Sequence, residues 1–220
     1  MRRGRLRRAL AAALAILPLA AGARAGPVVL CLGDSLTEGY GVEPEQSWPS
    51  LLEARLADRG HPGVRVVNAG ISGSTSASAV SRLRWLLASE PDVVILALGG
   101  NDGLRGVELE ATERNLERAI ELAKSRGVRV VLAGMKLPPN YGPDYTRRFE
   151  AMFPALARRH DVALIPFLLE GVAAQPDKNL PDGIHPNASG YEIVVENVLE
   201  TLLPLLRQEV SAPRSGVAAP

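Results

Sequence analysis

Five short apolar runs recur along the chain, at 28–32, 64–67, 93–98, 128–133 and 162–165, and each is followed by a segment with helical character. Unbroken apolar runs of this length are what strands buried on both faces look like, the situation of a parallel sheet covered by helices. Between them, 48–59 sets Trp48, Leu51, Leu52 and Leu56 at helical spacing. Segment 79–88 is a shorter helix, 109–126 a long amphipathic one stopped by Gly127, and 145–160 and 190–206 complete the set. Strand and helix in regular alternation predict an α/β chain in three layers, α/β/α, around a five-stranded parallel sheet. The expected strand order is 2-1-3-4-5, within one domain over 26–208.

The first 25 residues are of another kind. Arg2, Arg3, Arg5, Arg7 and Arg8 form a basic head, 9–21 is apolar, and Ala23-Arg24-Ala25 gives the small-x-small pattern of a signal-peptidase site. The apolar run is shorter than the ~20 residues of a spanning helix, so the leader is expected to be cleaved after Ala25, with a periplasmic or secreted product and no stable membrane insertion. Cys31 lacks the small residues that precede a lipidated cysteine and is expected inside the first strand. The leader holds six of the 25 basic residues and no acid, leaving 19 against 24 acidic residues, a formal charge of −5. A mildly acidic product without a basic cluster excludes nucleic acid as an expected partner. One cysteine excludes an internal disulfide. A monomer is expected, and 209–220 is expected to be a disordered tail.

In a parallel sheet the carboxyl ends of all strands share one edge, where ligands of open α/β folds bind. Three of those ends carry glycine or polar residues: Gly33-Asp34-Ser35, Asn68-Ala69-Gly70 and Gly100-Asn101-Asp102. Acyl transfer requires a nucleophile, a base, a group that orients the base, and donors for the oxyanion. Ser35, at a strand-to-helix turn, is the candidate nucleophile. Its own N–H, the N–H of Gly70 and the side-chain amide of Asn101 are the candidate oxyanion donors. Of the three histidines, His61 lies in a polar turn and His160, beside Arg158, Arg159 and Asp161, is expected to be solvated. His185 follows Asp182 by three residues across a glycine-containing turn, a spacing that lets the carboxylate reach Nδ1 while Nε2 faces the serine.

Each feature has a plainer reading. Ser35 could be a helix cap, Asn101 a turn residue bonded to its own backbone, and Gly70 a positive-φ position. Asp182 and His185 could be two metal ligands, but no third or fourth stands at suitable spacing. Asp34 is expected to bond nearby backbone and shape the turn. The joint occurrence of these residues at the ends of successive strands is what favours catalysis.

Taken with their order, Gly33-Asp34-Ser35-Leu36, Asn68-Ala69-Gly70-Ile71-Ser72-Gly73, Gly100-Asn101-Asp102 and Asp182-Gly183-Ile184-His185-Pro186 resemble the four blocks of the GDSL or SGNH hydrolases, over about 28–206. Gly100 to Gly106 and Leu137 to Gly142 are similar to the bacterial exported esterases of that family, the acyl-CoA thioesterases, lysophospholipases and arylesterases. The resemblance implies a flavodoxin-like sheet and neither metal nor organic cofactor. It implies Ser35 as nucleophile, His185 as base, Asp182 as its orienter, and Gly70 and Asn101 as oxyanion donors.

The loops after Asn101 and around 137–145 should overhang the site, with Leu104, Leu109, Leu137, Pro138 and Tyr141 as candidate contacts to the acyl chain. Apolar loops suit a fatty-acyl or aromatic ester or thioester better than a sugar, and only nine residues of the chain are aromatic. The alternatives are a carbohydrate acetyl esterase of the same family, and a non-catalytic flavodoxin-like module cradling a phosphate between Ser35 and Gly70. The second leaves Asp182 and His185 without a role.

Overall fold

A computed structural model describes residues 26–209. The leader and the residues after 209 lie outside it. Its sheet is built from β1 (Val28–Gly33), β2 (Arg65–Gly70), β3 (Val93–Ala97), β4 (Arg129–Ala133) and β5 (Ala163–Ile165), all parallel, in the order β2-β1-β3-β4-β5. The expected order is therefore the one observed. Every residue of β1 and β3 is buried, as their unbroken apolar runs require. Cys31 lies inside β1, and burial pushes its thiol up, which leaves it inert.

Among the described residues, seven α-helices accompany the sheet: α1 (Ser35–Glu38), α2 (Trp48–Asp58), α3 (Ala79–Leu86), α4 (Gly100–Leu104), α5 (Leu109–Ser125), α6 (Pro143–His160) and α7 (Ala188–Glu209). One face of the sheet is covered by α2 and α7, with Trp48, Leu52, Tyr191 and Val195 in the shared core. The other carries α3, α5 and α6, with Leu83, Leu116, Ile120 and Phe153 between them and the strands. Burying a large side chain of this kind is worth about 1.5–3 kcal/mol, so the two apolar layers fix which way each helix turns. Ion pairs of Arg55 and Arg59 with Glu192 and Glu196 join α2 to α7 at the surface.

Two short helices escape the sequence pattern. α1 and α4 have only four and five residues, too few for a hydrophobic period to show. Both start directly at strand ends on the edge where the candidate residues stand. Arg82 of α3 reaches beneath that edge, donating from Nη1 to the Gly33 carbonyl at 2.9 Å and from Nη2 to the Ala69 carbonyl, so one guanidinium ties the ends of β1 and β2 together. His160 departs from its expected solvated position. Its Nε2 lies 3.0 Å from Glu117 Oε1 on α5, and its side chain is 13% exposed.

Candidate active site

Ser35 is the first residue of α1, where chain N–H groups have no intrahelical partner. Asp34 caps that helix, its Oδ1 accepting the Leu36 N–H at 3.1 Å, which is the turn-shaping role expected of it. The segment 179–187 brings His185 to the same place. It folds back on itself through the pairing of Asn179 with Pro186 and the Leu180 N–H to His185 carbonyl bond of 2.7 Å. His185 Nε2 then lies 2.9 Å from Ser35 Oγ, and Nδ1 lies 2.8 Å from Asp182 Oδ2. The other carboxylate oxygen of Asp182 accepts the N–H groups of Ile184 at 2.9 Å and His185 at 3.0 Å.

These contacts define the electrostatics. Partial burial disfavours the charge on Asp182, but the two backbone N–H groups and the imidazole outweigh it and bring the carboxyl down to about 2. A carboxylate held ionised at Nδ1 fixes the tautomer that leaves the Nε2 lone pair facing the serine hydroxyl. Asp34 is the opposite case. It is buried, and desolvation raises its carboxyl to about 6 against the opposing pull of the Leu36 N–H, its own backbone, His185 and the Asn101 amide.

Asn101 sits in the first turn of α4. Its Nδ2 donates to the Ser74 carbonyl at 3.0 Å and to Asp34 Oδ2 at 3.3 Å, and its side chain lines the cleft that opens over Ser35. The expectation for Gly70 is corrected. Its N–H is spent on Asn68 Oδ1 at 2.9 Å, and the residue does not line the cleft. It is in register with Gly33, and a Cβ on it would lie 2.0 Å from the backbone nitrogen of Glu38. Glycine is needed there because α1 passes directly over it. The candidate donor that sequence reasoning missed is Gly73, three residues on. It lines the cleft with Ser35 and Asn101, has φ +75°, and its N–H has no partner among the described residues. The signal was present, a second glycine in the same block.

The cleft encloses about 670 Å³. From the Ser35, Asn101 and His185 end it runs between apolar walls that include Leu104, Met135, Leu137, Pro138, Phe167 and Leu169. Leu104, Leu137 and Pro138 therefore stand where expected. Leu109 and Tyr141 do not, and both are corrections. Leu109 opens α5 and turns its side chain into the core against the sheet, 6% exposed. Tyr141 faces a separate hollow, and its hydroxyl donates to the Leu104 carbonyl at 3.0 Å. It fastens the cleft wall from behind.

Residues 31–193 match the GDSL-like lipase/acylhydrolase family. Esterase TesA of Pseudomonas aeruginosa is 45% identical over 183 residues, 83% of this chain and 90% of that protein. The thioesterase 1/protease 1/lysophospholipase L1 of Escherichia coli K12 is 38% identical, covering 85% and 88%. A crystal structure of TesA superposes with a TM-score of 0.78 over 81% of this chain and 99% of that one, at 45% identity. The chain belongs to the GDSL-like lipase/acylhydrolase family. It is a hydrolase of ester bonds.

Proposed function

We propose that Ser35, His185 and Asp182 are the catalytic triad of an exported serine esterase and thioesterase. The observation that carries this reading is the relay from Asp182 Oδ2 through the imidazole to Ser35 Oγ, at 2.8 and 2.9 Å, opening into an apolar-walled cleft. His185 Nε2 takes the Ser35 proton as Oγ attacks the acyl carbonyl. The resulting imidazolium is stabilised by the ionised Asp182. The tetrahedral oxyanion is received by the N–H groups of Ser35 and Gly73 and the amide of Asn101. The 3.3 Å contact from Asn101 to Asp34 is long and weak, so it yields readily to a full negative charge. His185 returns the proton to the leaving alcohol or thiol, then takes one from the water that cleaves the acyl-enzyme.

The groove beyond the triad would take the acyl chain, with Leu104, Leu137 and Pro138 among its contacts. Aryl and fatty-acyl esters, acyl thioesters and lysophospholipids are the substrate classes that suit these walls. Every group of the relay comes from one chain, which supports activity as a monomer. The arginine-headed leader supports a periplasmic or secreted destination, and no described helix is long and apolar enough to cross a membrane.

The test is turnover of 4-nitrophenyl esters, acyl-CoA thioesters and lysophospholipids of increasing chain length by the mature chain and by S35A and H185A. Both variants should fall to near background. Full turnover by S35A would overturn the mechanism, and turnover confined to acetyl esters would overturn the long-acyl reading.

A further inference from the structure

The segment between β2 and α3 begins with a four-residue turn, Ile71 to Ser74, closed by the Ser74 N–H to Ile71 carbonyl bond of 3.1 Å. Gly73, third in the turn, has φ +75°, whereas Ser72 is not among the non-glycine residues of positive φ. That combination is a type II turn. Types I and II differ by inversion of the central peptide, here Ser72–Gly73, with little change in the path of the chain. The inversion reverses the direction of the Gly73 N–H. A donor in this position is thus only as good as whatever holds the peptide in one of its two orientations.

The peptides on either side are held by oppositely charged side chains from different helices. The Glu38 carboxylate, at the end of α1, accepts the Ser72 N–H at 2.8 Å and also the Ser72 hydroxyl. Arg105, closing α4, donates from Nη2 to the Gly73 carbonyl at 3.0 Å. Beyond them, Asn101 donates to the Ser74 carbonyl, and the buried Asp102 accepts the Ser76 N–H at 2.8 Å and hydroxyl at 2.6 Å. α4 therefore grips this loop at three points in succession, and α1 grips it at a fourth.

We propose that Glu38 and Arg105 are positioning residues that keep the Ser72–Gly73 peptide oriented with its N–H available to the oxyanion. The proposal rests on Gly73 being an oxyanion donor in the reading above. Neither side chain lines the cleft, so neither is a catalytic residue; each acts through the peptide it holds. Bonds with a charged partner are stronger than neutral ones, which suits a clamp that has to resist a peptide inversion at an exposed site. The arrangement also gives Arg105 a second consequence. It follows Leu104 of the cleft wall, so the wall and the donor are joined through one residue.

The experiment compares E38A, R105M and the double variant with the conservative E38Q and R105K, as full mature chains, using a 4-nitrophenyl ester. Removing one oxyanion donor outright costs about 10²–10³ in kcat, and small misplacements of reacting groups reach about 10². E38A and R105M should each lower kcat by about 10-fold, the pair by about 10²-fold, with KM changed less than about 2-fold. E38Q, which keeps an acceptor for Ser72, and R105K, which keeps a donor for Gly73, should recover most of kcat. Inactivation of Ser35 by a 4-nitrophenyl phosphonate, whose oxygen takes the oxyanion position, should slow by the same factors. Unchanged kcat in the double variant would overturn the proposal, as would a loss carried by KM or one that the conservative variants fail to recover. If E38A does not fold, R105M and R105K alone decide. Turnover surviving S35A sinks the catalytic reading itself, whereas an inactive S35A beside a fully active double variant sinks only the clamp.

Discussion

Tyr40 lays its ring against that of His185, centroids 4.6 Å apart and planes inclined by 41°. The tyrosine is half exposed, 51%, so it adds little to the core. It is a side support for an imidazole whose other restraints are Asp182 at Nδ1 and Ser35 at Nε2. An aromatic pair is worth about 0.5–1.5 kcal/mol, equivalent to about 2- to 10-fold in rate if the ring is held less firmly. Y40A should lower kcat within that range, and Y40F, which keeps the ring, should match the parent. Equal kcat in Y40A and the parent would show that the contact is incidental.

Asp182→Asn keeps an oxygen near Nδ1 but loses the charge that stabilises an imidazolium. The expected loss in kcat is about 10⁴, by the general behaviour of serine triads, with KM little changed. Stability should respond to pH with a definite sign. The carboxyl of Asp182 is held below its ordinary value, so its stabilising contribution is present above about pH 4 and is lost as pH falls toward 2. The parent should therefore lose more stability than D182N between pH 4 and 2 in urea titrations. A parallel fall in both would contradict this.

Asp34 gives the reverse pattern. Its folded value, about 6, is above the ordinary 3.8, so the folded state binds more protons in that interval and the group's contribution to stability falls as pH rises from about 4 to 6. A carboxamide in its place would accept from the Leu36 N–H without a charge to bury. The D34N variant should gain stability relative to the parent across that window, measured by urea unfolding at several pH values. A difference that does not vary with pH would show that Asp34 does not titrate there.

The acyl groove can be shortened at Leu104 or Leu137. Filling a packed apolar wall with a larger side chain removes room that the substrate would use. L104W and L137W should shift the preferred ester toward shorter chains, with kcat/KM for a long-chain ester lowered at least about 10-fold relative to a butyrate. L109W, at a buried core position outside the cleft, should instead lower the melting temperature and leave the profile of the folded fraction unchanged.

The strands were legible because each strand's burial on two faces leaves an unbroken apolar run, and alternation with helices restricts the topology. Their order is not written in those runs and was expected only from the flavodoxin-like arrangement. Ser35, Asp182 and His185 were legible for a related reason. Topology alone brings the strand-end serine to the site edge, and a three-residue spacing brings the carboxylate to the ring. The choice between Gly70 and Gly73 was not. It depends on which N–H is already occupied, and the occupant of Gly70 is the side chain of Asn68, two residues back. Leu109 and Tyr141 misled for the same kind of reason. Their loops pass the cleft, but side-chain direction is decided by packing against α6 and the sheet and by the Tyr141 bond to Leu104. The partner of His160 is 43 residues away on another helix, a distance no local pattern spans.

The relay joins residues 150 positions apart, with the serine near the start of the folded chain and the base near its end. During synthesis Ser35 emerges early and waits through the making of every strand for His185. The loop bearing His185 is set at the head of α7, whose apolar face packs with α2 on the sheet, so that helix too must be complete and docked. On the proposed mechanism, a truncated or half-made chain carries Ser35 without His185, and is chemically silent toward the acyl esters and thioesters of the cell that makes it. Hydrolytic activity is thus a report that α7 has arrived.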